Sequence, residues 1–269
     1  MNRSLAIVKN CLLLSIVLLA FSCSKKEKGK AKILVFSKTA GYHHESIADG
    51  NTAIQKLGGL HNFDVDTTTD AAMFNEDSLK KYSAVVFLST TGDVLDYLQE
   101  AAFERYIQAG GGYVGIHAAA DCEYDWGWYG RLVGGYFLSH PGIHDTFPNV
   151  QPGILNVVDK ENIATKHLPA QWKRTDEFYS YKKLSKDTKI LLTIDEKSYH
   201  GGENGDNHPM AWYHDYDGGR AFYTELGHTK ESFTEENYLN HILGGIEYAI
   251  GEKKELDFSK VKTKIRPEN

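Results

Sequence analysis

The chain has 269 residues, with 30 Lys and Arg against 36 Asp and Glu, a formal charge of −6, and only three cysteines. Residues 1–31 hold six Lys or Arg and one acid, which leaves −11 on residues 32–269 and excludes the clustered basic surface that a nucleic-acid or polyphosphate partner requires. Cys11, Cys23 and Cys122 are too few for a disulfide framework, and the residues that follow the leader suffice for one sizeable core.

Arg3 and Lys9 precede an apolar run, 11–21, too short to span a bilayer as a helix but suited to the core of an export signal. Leu19-Ala20-Phe21-Ser22-Cys23 resembles a bacterial lipobox. Residues 1–23 are therefore expected to be a lipoprotein signal peptide ending at a lipidated Cys23, and 24–31 a polar tether. The mature protein would sit in the cell envelope, periplasmic or surface-exposed, attached by acyl chains and not by a spanning helix. An ordinary cleaved signal with Cys23 as a bystander is the competing reading.

Beyond the tether, strand and helix signals alternate. Residues 32–37 form an almost wholly apolar, branched run, the pattern of a strand buried on both faces, and 84–88 repeat it. Between them, Ile47, Ile54 and Leu57 fall at helical spacing with Gly58-Gly59 as the expected stop, and 63–67 read as a further strand. A helix is expected over 96–109, then a fourth strand, 113–116, running into His117. The second half is richer in strands, at 154–158, 189–194, 210–213 and 221–223, and closes with a helix over 236–250. Residues 252–269 are charged and Lys-rich and read as a solvated tail. The alternation predicts one α/β domain over 32–251, doubly wound on a mostly parallel sheet, with an elaborated C-terminal half.

In such sheets ligands bind beyond the carboxyl ends of the strands, so the loops at His43-His44, Thr91-Asp93 and His117-Asp121 should meet at one crevice. The run Gly112-Tyr113-Val114-Gly115-Ile116-His117-Ala118-Ala119 has the form of a strand-to-helix turn that exposes a Ser or Cys nucleophile in hydrolases and amidotransferases. Here the nucleophile position is His117, and Cys122 lies five residues too far along to fill it.

Seven segments, in order, carry a wider resemblance: 38–47 around Tyr42-His43-His44, Thr90-Thr91-Gly92-Asp93, 115–121, Ser139-His140-Pro141, Thr175-Asp176-Glu177-Phe178-Tyr179, His208-Pro209-Met210-Ala211-Trp212, and 219–228 ending in Gly227-His228. Together they resemble the ThuA-like, trehalose-utilisation family over 32–251. The resemblance implies a class I glutamine-amidotransferase-like, flavodoxin-like sheet that has lost the glutaminase cysteine, so the chain is not expected to be a glutamine amidotransferase. It also implies a role with trehalose or another disaccharide, since relatives are labelled secreted glycosyl hydrolases.

From the residues alone, two chemistries fit. His117 and Glu177 could form a proton-transfer pair at a sugar carbon or glycosidic oxygen, easiest on a 3-keto sugar, with Asp121, His140, His208 and His228 orienting substrate. Alternatively a divalent metal, zinc the natural ion, could sit on His117 with His140, His208 or His228 and a carboxylate. No paired-Cys spacing marks such a site, and the cofactor stays open. His43, His44, Thr91, Asp93, Asp176 and Tyr179 are further substrate-binding candidates. Trp126, Tyr129, Trp212 and Tyr223 offer flat rings for a pyranose, with core packing the competing reading. Gly-rich 201–207 reads as a flexible lid. The expected partners are a small carbohydrate and, through the anchor alone, a membrane. A binding module without turnover and a structural envelope domain are the rivals, and oligomeric state is open.

Overall fold

The computed structural model describes residues 29–144, 146–252 and 255–264; the expected signal peptide, Cys23 and most of the tether lie outside the described residues. Strands β1 (Ala31–Phe36), β2 (Phe63–Thr68), β3 (Ala84–Leu88) and β4 (Gly112–Ile116) alternate with helices α1 (Ile47–Leu60), α2 (Glu76–Leu79) and α3 (Tyr97–Gln108). β3 and β4 are buried at every position, and β1 at all but one, because helices cover both faces. On one face Ile33, Val35, Val86 and Val114 pack against α1 and the closing helix α5 (Glu236–Ile250). On the other, Leu34, Phe36, Val85, Phe87 and Tyr113 pack against α3 and α4 (Gly127–Val133).

The second half adds β5 (Tyr136–Ser139), β6 (Val150–Val157), β7 (Gln171–Glu177), β8 (Ser180–Lys182), β9 (Lys189–Ile194), β10 (His208–Tyr216) and β11 (Gly219–Thr224). The main sheet has nine strands in the order β2-β1-β3-β4-β11-β10-β9-β6-β7, and β5 pairs β8 separately. Every pairing from β2 to β11 is parallel, which gives the flavodoxin-like order with β11 as its fifth strand. Beyond β11 every pairing is antiparallel. Four successive reversals therefore return β7 to the direction of β4. This is what places the carboxyl end of β7 at the same rim as those of β1, β4 and β11.

Several expectations need correcting. Helix α1 runs through Gly58-Gly59 to Leu60, because Gly58 is where the helix lies closest to β2: a Cβ there would meet the Phe63 carbonyl oxygen at 2.7 Å. The glycine permits close packing and does not end the helix. β5, β7 and β8 were not anticipated. The described part of the C-terminal segment, 255–264, is docked on α3: Gln108 accepts from the Lys262 and Thr263 N–H groups (2.8 and 2.9 Å) and donates to the Thr263 hydroxyl, while Arg105 donates to the Thr263 carbonyl.

His241 on α5 tests this packing. Its ring nitrogens lie 2.8 Å from the Ala164 carbonyl and 3.1 Å from the Thr224 hydroxyl, and burial pushes its pKa down to about 3. The folded chain thus keeps the ring neutral while the unfolded chain protonates it near pH 6.5, so its contribution is complete above that pH and is lost as pH falls towards 3. Urea denaturation of wild type and His241→Gln at pH 7.5, 6 and 5 should show wild type losing about 1.4 kcal/mol per pH unit more than the variant below pH 6.5. Parallel losses would refute the buried neutral ring.

Candidate active site

The loops that follow β1, β3 and β4 converge as expected, joined by bridges between Thr39 and Thr91 and between Gly92 and Cys122. His117 occupies the first position after β4 with φ +52°, the left-handed conformation that a strand-to-helix turn demands of its exposed residue. Such a conformation costs a non-glycine residue about 1–3 kcal/mol and persists only where surroundings over-determine it. Here the Tyr223 hydroxyl donates to the His117 carbonyl (2.8 Å), and His117 Nδ1 lies 2.7 Å from the Glu225 carbonyl oxygen. Gly115 cannot carry a side chain, since a Cβ would come within 2.7 Å of the Tyr113 hydroxyl.

Around His117 Nε2 stand His44 Nε2 at 3.1 Å, His228 Nδ1 at 3.1 Å, the Tyr179 hydroxyl at 3.2 Å and Glu177 Oε2 at 3.3 Å. His228 Nδ1 is itself 3.1 Å from Glu177 Oε2. The second Glu177 oxygen accepts from the Asn149 amide (2.8 Å) and lies 3.5 Å from His140 Nε2. Only His140 and His228 retain useful exposure, with side chains 23% and 17% accessible; His44, His117, Glu177 and Tyr179 are buried.

The electrostatics follow from that burial. For His117 the desolvation cost is outweighed by Glu177 and Glu225, whose hydrogen bonds and charges raise its pKa to about 10. Burial opposes ionisation of Glu177, yet His117 and His228 hold it well below the usual carboxylate range. His44 is driven down to about 2 by burial and by His117 and His228, and Glu225 up to about 8 by burial. The pocket therefore favours one positive charge at its centre, facing carboxylates.

The other sequence candidates divide sharply. Asp121 is half-buried, with Tyr124 donating to its carboxylate (2.5 Å) and burial raising its pKa. Asp176 is fully buried and structural: it pairs with Arg174 (2.8 Å) and accepts from the Gly227 and His228 N–H groups (3.0 and 3.1 Å). Thr91 is a staple between loops, donating to the Tyr42 carbonyl and accepting from the Gly41 N–H. His43 lies outside the cluster, 3.3 Å from the Thr39 hydroxyl. Asp93 groups instead with Glu100 and Glu123.

Two expectations are overturned by burial. His208 does not face the cleft: its ring nitrogens sit 2.6 Å from the Tyr179 carbonyl and 2.8 Å from Glu196, behind Tyr179. Trp126, Tyr129, Trp212 and Tyr223 belong to the core and form no sugar platform. Their polar edges are satisfied internally, Trp126 by Glu104, Trp212 by the Val133 carbonyl and Tyr129 by the Ala119 carbonyl. The exposed ring beside the cluster is Tyr42, 65% accessible and edge-on to His44. The 201–207 segment is pinned and no free lid, since Glu203 bonds Ser139 and Asn204 bonds Tyr181 and Glu196. Cys122 is buried, and desolvation pushes its thiol up, away from nucleophilic use.

A groove of about 1280 Å³ lies at the opposite end of the parallel strands, among Lys30, Lys81, Gln108, Arg220 and Leu256. It holds none of the imidazoles. The chemistry sits instead at the carboxyl ends, as the topology of open α/β sheets requires. Asn149, which carries no motif, was the contact sequence reasoning missed.

Asp176 should be indispensable to the rim. Asp176→Ala leaves the buried Arg174 with only the longer Glu235 contact (3.4 Å) as an ion pair and frees the His228 backbone, so denaturant unfolding should report a loss of about 3–5 kcal/mol. A loss under about 1 kcal/mol would show that the pair does not hold the loop.

A family model described as ThuA, trehalose utilisation, matches residues 32–249. Among solved structures, a protein described as ThuA-like from Bacteroides uniformis ATCC 8492 is 24% identical with a TM-score of 0.70, covering 89% of this chain and 99% of that one. Another described in the same way, from Parabacteroides merdae ATCC 43184, is 21% identical with a TM-score of 0.65, covering 88% and 98%. A β-galactosidase from Rahnella sp. R3 shares the fold at 16% identity and a TM-score of 0.51, over 80% of this chain but 31% of the enzyme. No curated protein matches the chain.

Proposed function

Because the chain belongs to the ThuA family of trehalose utilisation, we propose that it is a lipid-anchored envelope protein that binds a carbohydrate at the His117 rim and transforms it. The substrate in this reading is a disaccharide or a 3-keto sugar. The observation that carries it is the convergence of four imidazoles, from His44, His117, His140 and His228, with Glu177 at strand ends drawn from both halves of the chain. Such a set is costly to bury and has no packing purpose.

The favoured roles shift with the geometry. His117 and Glu177 are shut away from solvent and hold one another, so they position the reacting groups. His140 and the half-buried Asp121 border the open side and are the groups that exchange protons with a sugar, while His228 is held against Glu177. A carbonyl on the sugar would acidify the neighbouring C–H, within reach of a base of ordinary strength. Tyr42 offers the exposed face that a pyranose needs. Among the described residues no helix is long and apolar enough to cross a membrane, and the proposed attachment is acylation of Cys23.

Full-length chain in detergent, incubated with a panel of disaccharides and their 3-keto forms, should convert at least one, followed by mass spectrometry. His140→Ala and Asp121→Asn should each lower kcat about 10²-fold or more with the fold intact. Saturable binding without product from any sugar would replace this reading with a carbohydrate-binding module, and neither binding nor product would end it.

Cys23→Ser should move the chain from the membrane to the soluble fraction of cells. An unchanged partition would rule out the anchor.

A further inference from the structure

The geometry points to a divalent transition-metal site in this cleft, held by His44 Nε2, His117 Nε2, His228 Nδ1 and a carboxylate oxygen of Glu177. It deepens the carbohydrate reading and rests on that reading only for what the ion would then hold, a hydroxyl or carbonyl oxygen of the sugar.

The argument begins with proton counting. His117 Nδ1 lies 2.7 Å from the Glu225 carbonyl oxygen, which can only accept, so that nitrogen carries a proton. In the neutral ring Nε2 then has a single lone pair. Four heteroatoms stand within 3.3 Å of it, and one of them, Glu177 Oε2, is itself an acceptor. One lone pair can accept one good hydrogen bond, and one N–H in the doubly protonated ring can donate one. Whichever protonation is chosen, most of these close approaches are left without a proton to share.

A cation at the centre accounts for three of the four, those of His44, His228 and Glu177, and leaves the Tyr179 hydroxyl outside the ligand set. The ligand atoms of His44, His117, His228 and Glu177 lie within 4.8 Å of one another. Tetrahedral zinc with bonds of about 2.0–2.1 Å places its ligands about 3.3–3.4 Å apart. The four contacts measured here, 3.1, 3.1, 3.3 and 3.1 Å, are close to that edge length. Three imidazoles and one carboxylate suit zinc or a neighbouring first-row ion better than calcium or magnesium, which prefer oxygen.

The surroundings are those of a built site. The Glu225 carbonyl fixes the His117 ring so that Nε2 faces inward, Asn149 orients Glu177 through its other oxygen, and Asp176 fixes the backbone of His228. Outer contacts of this kind set ring orientation at metal centres. The ligands come from the last residue of β7 and from the segments after β1, β4 and β11, far apart in sequence, which is why no short spacing motif announces them.

Full-length chain purified without a metal-affinity step should carry about one equivalent of transition metal by mass spectrometry of the digested protein. After chelation it should take up one Zn²⁺ by calorimetry, and Co²⁺ should give the intense visible absorption of tetrahedral coordination. His117→Ala and His44→Ala should hold less than about a tenth of an equivalent, while His167→Ala, remote from the cleft, keeps the full complement. Should the alanine variants fail to fold by circular dichroism, Glu177→Gln and His228→Gln put the same question with little change of volume. A folded wild-type chain that takes up neither ion, or ligand variants that retain a full equivalent, would overturn the site. Metal uptake with no sugar converted would leave the site standing and remove the enzymatic reading; conversion that survives complete metal removal would leave the enzymatic reading standing and overturn the ion's proposed hold on the sugar.

Discussion

The contact between the His117 ring and the Glu225 carbonyl decides which nitrogen faces the cleft, and the rest of the rim is arranged around that choice. It ties the end of β4 to the end of β11 across a parallel pair of strands, at a residue already held in a left-handed conformation. His44, His228, Tyr179 and Glu177 then close on the opposite nitrogen. Turning the ring over would present the wrong atom to all four at once.

Much of the support is invisible from the cleft. Asp176 holds the Gly227-His228 backbone, His208 braces the Tyr179 carbonyl, and Asn149 steadies Glu177. Asp176 and His208 are polar groups buried with their partners, and they are worth keeping only if each is satisfied, because an unpaired buried polar atom costs more than its hydrogen bond returns. A rim of this kind is stiff by necessity. It also explains why a chain whose parallel core needs only five strands carries four more: β10, β9 and β6 are the spacers that bring β7, and with it Glu177, back to the same edge in the right direction.

The doubly buried runs of β1, β3 and β4 could be read directly, since parallel strands covered on both faces leave no polar alternation to confuse. The same logic made His117 stand out, an imidazole where the strand pattern breaks. The aromatic residues misled for a physical reason: Trp126 and Trp212 have one polar edge each, and local sequence does not reveal whether water or a buried acceptor meets it. His208 and His228 look alike in the sequence, and only tertiary packing puts one behind Tyr179 and the other in front of Glu177. The C-terminal segment read as solvated from its charge, yet backbone N–H and carbonyl groups, common to every sequence, fasten its described part to Gln108 and Arg105 together with the Thr263 hydroxyl.

The described chain enters β1 at Lys30, beside the groove formed with Lys81, Arg220 and Leu256, and every imidazole of the cluster lies at the far end of those strands. Were the chain tethered through Cys23 as proposed, the near end of the strands would be the side closer to the anchor. The bilayer would lie under the floor of the sheet, with the docked C-terminal segment between, and the mouth of the cleft would look outward. Freely diffusing solutes would have an unobstructed approach from the aqueous side, whereas a headgroup in the supporting leaflet would stand a full strand length from the nearest imidazole.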